Sequence, residues 1–119
     1  MIDDGILSIQ TSESVLLVSI ECCHFDAFTI GKLQRQLFTA AIGSPTTPVI
    51  VDLSKVTLMN SAALAVLVDL VKYLHSRNRR LILANTSKPV SSSLKATHLD
   101  MLFEIAESVA AAREILGAP

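Results

Sequence analysis

The chain has 119 residues, ten basic and eleven acidic, for a formal charge of −1, so it has the length for one domain with its own core and lacks the basic stripe that displaces counterions from DNA or RNA. Half of the residues are apolar and 18% are charged, which excludes a disordered chain. No apolar run suffices to span a bilayer, and "MIDDGILSIQ" lacks the basic start and long apolar stretch of a signal peptide, so the cytoplasm is the expected location.

Aromatics are scarce and Trp is absent, which leaves Leu, Val, Ile and Ala to build the core. Residues 6–10, "ILSIQ", and 15–22, "VLLVSIEC", read as strands joined by the turn-forming "TSES" in an antiparallel hairpin. In the second strand Leu16, Val18, Ile20 and Cys22 share one face, and Val15 and Leu17 make the other face apolar too. From about Thr29 to Ile42 the period becomes helical, with Ile30, Leu33 and Leu37 on one side and Gly43 as the stop. "VIVDL" (49–53) is continuously apolar and β-branched, as expected of a central strand covered on both faces.

A second helix runs from Asn60 or Ser61 to Ser76. Leu64, Leu67, Val68, Val71 and Leu74 form one apolar stripe, and Ala63, Val66, Leu70 and Tyr73 a second. The remaining row, Ala62, Ala65, Asp69, Lys72 and Ser76, is the candidate solvent face, with small residues near its start. "LILAN" (81–85) is another buried strand, and Pro89 sits in the first turn of a short third helix. "MLFEI" (101–105) reads as a short edge strand, and Ser108 caps a last helix that ends at Gly117. Strands alternating with helices after a hairpin define an α/β fold, a single domain over residues 1–119 with a mixed sheet of four to five strands.

Catalytic machinery is not evident. Ser61 has no Gly-x-Ser-x-Gly elbow around it, and His75 lies at the far end of the same helix, about 20 Å away by helix geometry. No glycine-rich phosphate loop or GKS/GKT motif occurs. Cys22 and His24 would share a strand face with Cys23 on the other, but no second Cys/His pair completes a metal site, so neither a metal nor a cofactor is expected. Asn60 and Ser61 are both favoured helix caps. The positive pole of the helix dipole at that end also suits an anion, including a phosphoryl group on Ser61, so a cap and a switch are compatible there.

"VIVDLSKVTLMNSAALAVLVDLVKYLHSRNRRLILAN" resembles the signature of STAS domains, which include anti-sigma-factor antagonists, sulfate-transporter tails and stressosome subunits. "VDLSKV" at Val51–Val56 matches the family pattern, and the motif Asp-Ser-Ser/Thr-Gly-Leu becomes Asn60-Ser61-Ala62-Ala63-Leu64. "CHFDAFTIGKL" aligns with the stretch before the first helix and keeps Asp26, which is also placed to cap that helix. "MLFEIAESVAAAREIL" is similar to the family's ending. The resemblance implies helices packed mainly on one side of the sheet and a binding module rather than an enzyme. It also implies a phosphorylation-controlled partner exchange with an anti-sigma factor/serine kinase that regulates transcription.

Of the motif hydroxyls only Ser61 remains as a phosphorylation candidate, and the Asp, second hydroxyl and Gly of the motif are replaced. The resemblance therefore points to a conserved docking surface with an altered or lost switch. The expected partner-binding residues are Asp26, Asn60, Ser61, Ala62, Ala65 and Asp69. The alternative partner is a transporter: short STAS subunits of lipid-trafficking ABC transporters resemble this chain and dock on a cytosolic ATPase subunit without inserting in the membrane. A third class, a small-molecule or nucleotide sensor, stays open to titration with nucleotides and fatty acids. The oligomeric state is not legible.

Overall fold

A computed structural model describes residues 6–22 and 24–117. The elements follow the chain as β1 (Leu7–Thr11), β2 (Leu16–Ile20), α1 (Ala27–Gly43), β3 (Val49–Asp52), α2 (Ser61–Ser76), β4 (Leu81–Ala84), α3 (Lys88–Ala96), a 3-10 turn (Leu99–Met101), β5 (Glu104–Ala106) and α4 (Val109–Leu116). The strands lie side by side in chain order. β1 pairs antiparallel with β2, in the register Leu7 with Ile20 and Thr11 with Leu16. β2, β3, β4 and β5 are mutually parallel, because each connection between them carries a helix back along the sheet.

The alternation of side chains along each strand divides the interior in two. Leu16, Val18, Val49, Val51, Leu81 and Leu83 face α1, α2 and α3 and pack against Leu33, Leu37, Leu67, Leu70, Val90 and Leu94. Val15, Ile50, Ile82, Ala84 and Ala106 face the other way, where Ala112 of α4 is fully buried among them. Three helices on one face and one on the other account for the unbroken apolar runs of β3 and β4.

Several expected bounds shift: the first strand is Leu7–Thr11 rather than 6–10, and the second is Leu16–Ile20 rather than 15–22, which leaves Cys22 beyond its end. The final strand is Glu104–Ala106, not 101–105, because His98 takes a left-handed backbone (φ 60°) and starts a 3-10 turn that uses up residues 99–101. Phe103, expected within the strand, precedes it and plugs the main core. The first helix begins two residues before Thr29, since the Asp26 carboxylate accepts the Thr29 N–H (2.8 Å) and so sets the start. Cys22 is half-buried against the main core, and Cys23 lies outside the described residues.

At the amino-terminal ends of the strands, Arg79 is buried although no carboxylate among the described residues pairs with it. Its Nε donates to the Thr47 carbonyl (2.8 Å), Nη1 to the Ala41 carbonyl (2.9 Å) and Nη2 to the Ser44 carbonyl. α1 has no basic residue in its last turn, and Arg79 supplies that cation from the α2–β4 turn. Burial lowers the Arg79 pKa from its ordinary value, but its carbonyl partners complement the charge.

Candidate functional site

The parallel strands β2, β3 and β4 all end at one edge of the molecule, and α1, α2 and α3 all start there. Each start is capped by a side chain that follows a strand: Asp26, Asn60 and Ser87. Open α/β sheets place their binding surfaces at such carboxyl ends.

Cross-loop bonds join these segments. Asp52, the last residue of β3, accepts from Asn85 Nδ2 (2.9 Å), the Ser54 N–H (3.0 Å), Ser54 Oγ (3.3 Å) and Ser19 Oγ (3.3 Å). Burial alone pushes its carboxyl up, yet these hydrogen bonds outweigh it and hold the group below its ordinary range. Asn85 reaches Asp52 from a left-handed position (φ 58°), which an Asn tolerates. Ser87 Oγ donates to the Thr57 carbonyl (3.0 Å), and Lys55 pairs with Glu21 (2.9 Å).

Asn60 makes two bonds at once. Its Oδ1 accepts the Ala63 N–H (2.9 Å), capping α2, and its Nδ2 donates to the Phe25 carbonyl (2.7 Å) in the β2–α1 loop. Asn60 is thus the cap of the pair considered from sequence, and Ser61 is the exposed first residue of α2. The Phe25 carbonyl immediately precedes Asp26, so Asn60 and Asp26 are brought together. The Asp26 carboxyl sits below its ordinary range, chiefly through the Thr29 backbone N–H.

Ala62, Ala65, Asp69 and Lys72 are all exposed, while Ala63, Leu64, Val66 and Leu67 beside them are buried. Among the described residues, no helix covers Ala62 or Ala65. Asp69 lies about 12 Å along the helix from Ser61 and so extends the row away from the loops. Sequence reasoning missed two exposed apolar residues close in sequence to these helix starts. Phe28, in the first turn of α1, is 70% exposed with Lys32 Nζ 4.6 Å from its ring centre, and Leu58, in the β3–α2 loop, is 59% exposed. A large apolar residue two positions after a cap was the available signal for Phe28.

Small exposed side chains at the start of a helix let another backbone approach closely. The chain belongs to the STAS family, whose domain model matches residues 7–112. The fold is that of a STAS domain protein from Planctomyces limnophilus, at a TM-score of 0.85 and 16% identity over 94% of this chain and 98% of that one. An anti-sigma factor antagonist from Mycobacterium paratuberculosis matches at 0.80 and 19% identity, over 93% and 92%. The Bacillus cell-fate determinant SpoIIAA in its phosphorylated form matches at 0.68 and 14% identity, over 92% and 98%. No helix among the described residues is long and apolar enough to cross a membrane.

Proposed function

We propose that this protein is a non-catalytic interaction module that docks on an anti-sigma factor/serine kinase and regulates transcription in the cytoplasm by partner switching. The docking surface is the start of α2 with the start of α1: Asp26, Asn60, Ser61, Ala62, Ala65 and Asp69, together with Phe28 and Leu58. The exposure of Ala62 and Ala65 on a helix otherwise buried on both apolar stripes carries this reading. Ser61 is the phosphate acceptor in such a switch, being the exposed hydroxyl at the first position of α2. A phosphoryl group there would be stabilised by the helix dipole and would add about two negative charges to a surface that already carries Asp26 and Asp69, weakening the contact.

Recovery of the affinity-tagged chain from its native cells, with co-purifying proteins and the Ser61 modification identified by mass spectrometry, tests the proposal. An anti-sigma kinase, with phosphate on Ser61 in the unbound fraction, supports it. A transporter ATPase subunit with unmodified Ser61 would replace it with the transporter reading.

A further inference from the structure

We infer that Asn60 is a positioning residue that locks the first turn of α1 to the first turn of α2, so that the docking surface is preformed; this rests on the docking reading above. A helix cap needs only an acceptor, and Asp, Ser or Thr would serve. Asn60 uses its acceptor on the Ala63 N–H and its donor on a carbonyl 35 residues earlier, at 2.9 and 2.7 Å. A carboxamide of this length offers acceptor and donor on two separate atoms of one side chain, where a hydroxyl has both on one oxygen. An ionised Asp is acceptor-only, and would set a carboxylate oxygen against the Phe25 carbonyl oxygen where the native amide donates. A Ser keeps the cap and has no second arm. The replacement of the motif Asp by Asn60 thus gains a cross-loop donor as well as losing a charge.

The bridge acts on the part of the surface that the helix cap cannot reach. The Phe25 carbonyl leads directly into Asp26, whose carboxylate and carbonyl hold the Thr29 and Ile30 N–H groups. That turn carries Phe28, over whose ring Lys32 of the next turn lies. Anchoring the carbonyl therefore fixes the exposed Phe28 relative to Ser61, Ala62 and Ala65. A surface so fixed before contact loses less freedom on binding.

Amide hydrogen exchange on the free protein tests this without any partner. In Asn60→Asp and Asn60→Ser, Thr29 and Ile30 should exchange faster by about fivefold, the equivalent of one lost hydrogen bond. Ala63 should hold within about twofold, because both replacements still cap α2. Unchanged rates at Thr29 and Ile30 in both variants overturn the bridge, as does loosening of Ala63 to the same degree, which would make Asn60 a cap only. Either result leaves the docking reading standing. A native chain that captures no anti-sigma partner sinks the docking reading and leaves the bridge intact.

Discussion

Arg79→Met removes the buried guanidinium while keeping most of the side-chain volume. Three carbonyls, those of Ala41, Ser44 and Thr47, lose a charged donor. Hydrogen bonds to charged groups contribute roughly 1.5–3 kcal/mol each. Two effects reduce the total: the native cation bears a desolvation cost, and Ser44 is near enough to solvent for water to replace its donor. The expected loss is about 3 kcal/mol, which for a domain of this size lowers Tm by roughly 10 °C. Arg79→Lys keeps the charge but lacks the planar fork that serves three acceptors, so it should recover less than half of the loss. Urea unfolding followed by circular dichroism measures both. A change below about 1 kcal/mol for Arg79→Met would refute the capping role given to this side chain. Binding by the folded fraction should be unaffected, because Arg79 lies at the opposite ends of the strands from the docking surface.

Acid should weaken the native chain partly through Asp52. Its folded pKa is depressed, so its contribution is complete above the unfolded value of about 4 and disappears as pH falls through the folded value. Asp52→Asn should therefore be less stable than native at pH 7, with the gap in urea midpoint closing below about pH 4; a constant gap would contradict this. Glu104 adds to the same acid limb, since its hydrogen bonds with Arg80 lower its pKa. Gly117→Ala forces a side chain into a left-handed cap (φ +68°) and should cost about 1 kcal/mol, read by thermal melting, although nothing crowds the position. Ser61→Glu should leave Tm within about 3 °C of native, because an acid at a helix start is favourable, while reducing capture of the partner at least tenfold.

Much of the fold was legible because it depends on periodicity. The two stripes of α2, the β-branched run of β3 and the Ser108 and Gly117 ends of α4 all appear in the chain as patterns of local spacing. The exposed row Ala62, Ala65, Asp69 and Lys72 followed from the same periodicity. β5 was misplaced because an apolar "MLF" fits a strand as well as a turn that inserts Phe103 into the core, and left-handed His98 carries no composition signal. The cross-loop contacts were not legible at all. Asn60 to Phe25, Asp52 to Asn85 and Arg79 to Ala41 span 35, 33 and 38 residues, and two of the three end on backbone carbonyls, which look alike in every sequence. In the sequence Asn60 shows only the motif's lost carboxylate and a polar cap, whereas the amide's second function depends on a loop that only the fold brings near.

The central claim is that another protein docks on the start of α2. Titration calorimetry of the native chain and Ala65→Glu against the purified cognate anti-sigma kinase tests it most directly. Ala65 is exposed, and Glu favours helix, so the variant should fold as the native chain does. The account predicts a complex with the native chain and at least tenfold weaker binding by Ala65→Glu. Equal affinity for the two would contradict it.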